Sequence, residues 1–217
     1  MKVMVAVPTH DQMPALSAYD LAQMMAFLGA NYVGEDRPIS AISLTFCTGT
    51  YVHTAREQLA RMAVEAGADY VLWVDADMRF PKDALIRLLK HRKDIVGINY
   101  SNRGVPPGFV AIKTIKPAER LVTGPDSTGL EPVEALGFGL TLMRGSVLRR
   151  IAEKHRRMFW YDENEDGGLV GEDVYFCKLA RQEGFDIHVD HDLSKACAHV
   201  GVFEYLTDHP YAILTEK

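Results

Sequence analysis

Cysteine is scarce in this chain. Cys47, Cys177 and Cys197 are the only three among 217 residues, and no two form a CxxC pair. An odd count without paired spacing argues against a zinc knuckle or a disulfide framework, and for a reducing, cytoplasmic compartment. Long apolar runs are missing too. No stretch reaches the roughly 18 residues that a membrane span needs. The apolar start, MKVMVAVPTH, is short and is interrupted by Pro8 and His10. It reads as a first strand and not as a signal peptide. Excess charge of one sign is small, at net -5. A protein that wraps nucleic acid would show the opposite sign or a clear basic stripe. Basic residues gather only at positions 90–93 and at Arg149, Arg150, Lys154, His155, Arg156 and Arg157. These read as solvated helix faces, with a local anion or DNA contact left open. Repeats and linker-like segments are absent, so one domain is expected over residues 1–217.

What is present is ordinary globular material, 47% hydrophobic and 24% charged, enough for one sizeable core. Residues 3–8 read as a buried strand. Within 17–28, Leu21, Met24, Met25 and Leu28 recur at helical spacing, and Gly29 can close that helix. Residues 38–46 alternate like a strand. Positions 53–66 carry Ala55, Leu59, Met62, Ala63 and Ala66 on one helical face. A third strand at 70–74, a helix opened by Pro81 over 81–90, and a fourth strand at 94–98 follow. This alternation predicts an α/β fold with a mixed, mostly parallel central sheet and flanking helices. The second half is less regular. Strands are expected at 109–115 and, broken by glycines, at 134–143, with loop between 117 and 132. Helices are expected at 145–154 and 171–183, an acidic mobile loop at 161–168, and a short strand at 186–189.

Ligands of parallel sheets bind at the carboxyl ends of strands. One strand here ends in VDAD, with Asp75 and Asp77 flanking Ala76. In extended chain, residues two apart share a side, so the two carboxylates would repel unless a cation or donor lay between them. A hard divalent ion, Mn²⁺ or Mg²⁺, suits oxygen ligands and shares them with substrate phosphates. The plainer reading is a strand end with an aspartate cap before Pro81. Glu172 and Asp173 open the helix of GEDVYF. Acids there suit the helix dipole, but a carboxylate beside a cleft could also act as a general base. His199, in ACAHVG, is a third metal ligand if it approaches the aspartates, and a structural histidine if not.

In order, VPTH, an arginine in the second helix, VDADM, GFGLTLMR, GEDVYF and AHVG resemble glycosyltransferases of the GT-A fold, over nearly the whole chain from Val3 to about Gly201. The likeness is to short, soluble, family-2-like enzymes. It implies that Asp75 and Asp77 hold a divalent metal on the diphosphate of a nucleotide-sugar, with His199 completing the protein's share. Asp173, beside Glu172, would be the base of an inverting mechanism. Pro8, Thr9 and His10 would border base and ribose, and Arg56 would approach the donor. This chain reads AREQ where such enzymes often read ARN, and a surface arginine is the alternative. Gly137, Phe138 and Gly139 would let backbone approach donor or acceptor, or else form a bulge. Trp73 is expected in the core, while Trp160 and Tyr161 could touch an acceptor sugar or base.

The acceptor stays open among glycan, lipid-linked sugar, protein, small molecule and modified DNA. Similar short enzymes occur among phage proteins, where hydroxymethylated pyrimidines can be the acceptor and the host cytoplasm the site of action. Two other readings remain. A nucleotidyltransferase would share the strand-end carboxylates, but VPTHDQMP lacks the glycines of its phosphate loop. A non-catalytic nucleotide-sugar-binding module would need no base.

Overall fold

The structure is a computed structural model that describes residues 1–104, 106–163 and 167–201. Strand β1 (Lys2–Pro8), helix α1 (Ala15–Asn31), β2 (Ala41–Cys47), helix α2 (Val52–Glu65) and β3 (Tyr70–Val74) keep the expected alternation. A turn, the two-residue β4 (Met78–Arg79), α3 (Ala84–Lys90) and β5 (Ile95–Gly97) follow. Short strands β6 (Ile112–Thr114), β7 (Glu119–Arg120) and β8 (Leu130–Pro132) precede β9 (Leu140–Arg144) and α4 (Gly145–Lys154). The paired β10 (Asp162–Glu163) and β11 (Leu169–Val170) lead to α5 (Glu172–Gln182), β12 (Ile187–Asp190), the single-turn α6 (His191–Ser194) and β13 (Ala198–His199).

Seven strands form one sheet in the order β2-β1-β3-β9-β5-β12-β8. Five run the same way; β9 and β8 run against their neighbours. The central strands are apolar throughout because both faces are covered. On β3, Val71 and Trp73 pack under α2, α4 and α5, against Leu59, Val147 and Phe176. Leu72 and Val74 point the other way, to α1 and α3 with Met24, Leu28, Leu85 and Leu88. Trp73, Phe138, Phe159 and Phe176 interlock, with ring centroids 4.7 to 6.1 Å apart, and Trp73 is core as expected. Asp20 on α1 pairs with Arg79 on β4 and tethers the chain just past the β3 turn.

Several boundaries depart from expectation. Helix α1 does not stop at Gly29; open space surrounds that glycine, and the helix closes where Tyr32 N–H donates to Leu28. β2 starts at Ala41 and not at 38, since Pro38 has no N–H to give and its carbonyl receives the N-terminal amine. The expected loop at 117–132 contains β8, an edge strand of the main sheet. The expected strand at 134–143 joins that sheet only from Leu140. Within the expected acidic loop Asp162–Glu163 pairs with Leu169–Val170 just beyond it, and residues 164–166 lie outside the described residues. Among the described residues no helix is long and apolar enough to cross a membrane.

Candidate active site

The sheet order puts the carboxyl ends of β2, β1 and β3 side by side, and a cavity of about 860 Å³ opens over them. Pro8, Thr9 and His10 line it from the end of β1, and Thr50 and Tyr51 from the turn before α2. Asp75, Ala76 and Asp77 line it past the end of β3, and His199 faces them from β13. β13 gets there by pairing with β4, His199 opposite Met78, and Val200 N–H donates to the Asp77 carbonyl at 2.8 Å. Residues some 120 apart in sequence are thereby joined by one ribbon of two residues per strand.

The DAD segment is not extended. Met78 N–H donates to the Asp75 carbonyl at 3.1 Å, which closes a turn, and Asp75 N–H donates to the Gly139 carbonyl at 2.9 Å. The same-side argument from extended chain therefore fails, yet both carboxylates still line one cavity. Each has its own cation. Arg56 donates through Nη2 to Asp75 Oδ1 at 2.8 Å and through Nη1 to Glu172 Oε1 at 2.7 Å. Arg103 Nη2 lies 3.0 Å from Asp77 Oδ2, and His199 Nε2 3.3 Å from the same oxygen.

Arg56 is only 3% exposed and lies over the Phe138 ring, so the surface-arginine reading is overturned. Burial works against its charge, but Asp75, Glu172 and Asp173 outweigh it and hold the guanidinium more firmly protonated than usual. The AREQ departure has a structural cause. Glu57 is buried, and its Oε2 accepts from the N–H groups of Met158 and Phe159 at 2.8 and 3.0 Å. It fixes the chain leaving α4, a role no pattern in the sequence signalled. Burial alone would raise the Asp77 pKa, but His199 and Arg103 hold it below the ordinary value. His199 is raised by its hydrogen bond to Asp77. Its Nδ1 is 2.9 Å from the Ser101 carbonyl, which can only accept, so Nδ1 carries a proton.

The donor set is compatible with a hard cation. With Nδ1 protonated and the imidazole neutral, Nε2 offers its lone pair beside the Asp77 carboxylate. Among the described residues no three His, Cys, Asp or Glu side chains are already gathered for a metal. The arrangement fits an ion shared with phosphate and water, and not a protein-only cage. Arg103 is the present rival for Asp77.

Glu172 and Asp173 sit in the first turn of α5, and Glu172 is taken by Arg56. Asp173 keeps one oxygen on Val174 N–H at 2.8 Å. Burial pushes its carboxyl above the ordinary range against the pull of Arg56. Gly137 and Gly139 face Tyr100. A Cβ at Gly137 would come 2.6 Å from the Tyr100 hydroxyl, and one at Gly139 2.7 Å from its ring. The Tyr100 ring in turn meets His199 edge-on at 5.3 Å. Gly139→Ala is therefore expected to displace Tyr100 and to destabilise by about 1–3 kcal/mol. The denaturant midpoint checks this, and most of the loss should vanish in a Tyr100→Ala background. An equal loss there would mean that Tyr100 is not the obstacle.

Tyr100 and Arg103 escaped the sequence reading. The signal for both was the end of β5 in INYSNRGVPPG, a strand terminus followed by a Gly/Pro-rich loop.

No family model and no curated protein sequence matches the chain. Solved structures do. A197 from STIV aligns over 96% of this chain and 99% of its own, with 14% identity and a TM-score of 0.60. GalNAc-T7, solved with UDP, GalNAc and Mn²⁺, aligns over 94% of this chain with 9% identity and a TM-score of 0.52. This chain spans 44% of that longer one. At such identities the likeness speaks for fold alone: a mixed, mostly parallel seven-stranded α/β sheet flanked by helices.

Proposed function

We propose that the chain is a glycosyltransferase that moves a sugar from a nucleotide-diphosphate sugar, a UDP-sugar in the first instance, to an acceptor hydroxyl with inversion. The observation that carries this is the cavity over the strand ends, with Asp75, Asp77 and His199 on its wall. The presence of UDP and Mn²⁺ in the GalNAc-T7 structure favours that nucleotide and a divalent ion.

Asp77 and His199, with Asp75 beside them, would hold Mn²⁺ or Mg²⁺, which when bound supplies positive charge against the diphosphate. Pro8, Thr9 and His10 border the nucleoside. Arg56 pairs with Asp75 and aims it. Arg103, on Asp77 Oδ2 at the same wall, would offer its guanidinium to phosphate oxygens. The backbone at Gly137 and Gly139 stays close to the reacting end through the Asp75–Gly139 hydrogen bond. Asp173 takes the proton of the acceptor hydroxyl. The acceptor oxygen bonds to the anomeric carbon as the bond from that carbon to the diphosphate oxygen breaks, and the electron pair leaves with the nucleoside diphosphate. Glu172, bound to Arg56, positions and does not transfer a proton.

Calorimetry with UDP-, GDP-, TDP- and CMP-sugars, each with Mn²⁺ and with chelator, tests the reading. One donor is expected to bind in a metal-dependent way and to weaken by about tenfold or more in Asp77→Ala. Failure of every donor to bind would leave the fold without this activity.

A further inference from the structure

We propose that Tyr51, His53, Trp160 and Tyr161 form the acceptor subsite, and that it takes the C–H face of a pyranose. This rests on the donor reading of the adjoining cavity. His53, in the first turn of α2, is the hub. Tyr51 stacks on it, with centroids 5.9 Å apart and planes 16° apart. Trp160 and Tyr161 meet it edge-on at 5.2 and 4.9 Å. These rings come from two separate stretches, the start of α2 and the segment after α4, and they converge at the surface. Tyr51 is 78% exposed and Trp160 42%. Exposed aromatics gathered around one imidazole are unusual for a surface with only packing to do.

Their position joins the two halves of the site. Tyr51 is on the wall of the donor cavity. At the other end, burial, and then the negative charge of Glu172 and Asp173, push the Tyr161 phenol above its ordinary range. The platform thus runs from the wall of the donor cavity toward the segment that carries Glu172 and Asp173.

Charge decides the class of ligand. A pyranose is neutral, presents an apolar C–H face to aromatic rings, and brings hydroxyl donors that suit the Asp173 carboxylate. A nucleobase could stack equally well, but its strand brings phosphates that need a basic track. Several arginines of α2 and α4 are paired within the protein. Arg149 donates to the Ala68 carbonyl at 3.1 Å and Arg150 to Glu183 at 2.7 Å. Arg61 donates to Glu57 at 2.6 Å, and Arg157 lies over Trp160 at 4.6 Å. Asp162 follows Tyr161 directly and is paired with Lys178, and the negative charges of Glu172 and Asp173 reach the Tyr161 phenol.

The chain has two tryptophans, and Trp73 is fully buried, so a fluorescence change on ligand binding reports Trp160. The wild-type protein with UDP and Mn²⁺ would be titrated with a panel of methyl glycopyranosides. A single-stranded oligonucleotide containing 5-hydroxymethylcytosine would be titrated separately, and UDP binding followed by calorimetry. At least one glycoside is expected to give a saturable change. Its affinity should fall about tenfold in Tyr161→Ala and in Tyr51→Ala, both checked for an intact thermal transition. The fluorescence response should vanish in Trp160→Phe. UDP binding without any glycoside response overturns the proposal, as does an oligonucleotide that binds more tightly than every glycoside. Glycoside binding without UDP binding sinks the donor reading instead, and leaves the platform as a sugar site.

Discussion

Asp173→Asn is expected to lower turnover by about 10²–10⁴-fold while the protein stays folded. Asparagine keeps the size and the oxygen that accepts from Val174 N–H, but it cannot take a proton. The pH profile of the wild type adds a second readout. Activity needs Asp173 deprotonated, and burial raises its carboxyl, so the acid limb should set in at a higher pH than for an ordinary carboxylate. Stability runs the other way. A carboxyl with a folded pKa above its unfolded value, ~3.9, binds its proton more tightly when folded, so stability falls as pH rises past that value. Asp173→Asn removes this penalty. The variant should match wild type in acid and exceed it near neutrality, measured by denaturant unfolding at several pH values. A stable variant with near-normal turnover would move the base to another residue.

Arg56→Ala is expected to cost about 3–5 kcal/mol of stability, because it strands two carboxylates that the buried guanidinium now pairs. For a chain of this size the melting temperature should drop by roughly 10 °C. Arg56→Lys should recover only part of this, since an ammonium cannot reach Asp75 and Glu172 with two parallel arms. A variant that melts with the wild type would mean that water, and not Arg56, satisfies those carboxylates. Donor binding should also weaken, because Asp75 loses the group that aims it.

Both predictions concern residues that the sequence singled out but could not join. VDAD, GED and AHVG are local signals. Apolar strand followed by acids, acids at a helix start, and histidine after a short apolar run are each visible within ten residues. Their meeting depends on long-range pairing. β13 reaches β4 only through an antiparallel bridge between Ala198–His199 and Met78–Arg79, too short to have a period of its own. The turn at Asp75–Met78 was hidden for a related reason. Four apolar residues predict a strand but not where extension stops. The antiparallel β9 has the same composition as its parallel neighbours, so hydropathy cannot tell its direction.

The sequence by itself determined the alternation of buried strands and amphipathic helices, the core placement of Trp73, and the local acid and histidine signals at element ends. Period and apolar content are local properties, and burial on both faces leaves them legible. The tertiary structure alone decided which groups meet: Arg56 between Asp75 and Glu172, Arg103 on Asp77, Tyr100 against two glycines, and three rings gathered on His53. Charge pairing and close approach depend on distances between segments far apart in sequence, and those exist only once the sheet has assembled.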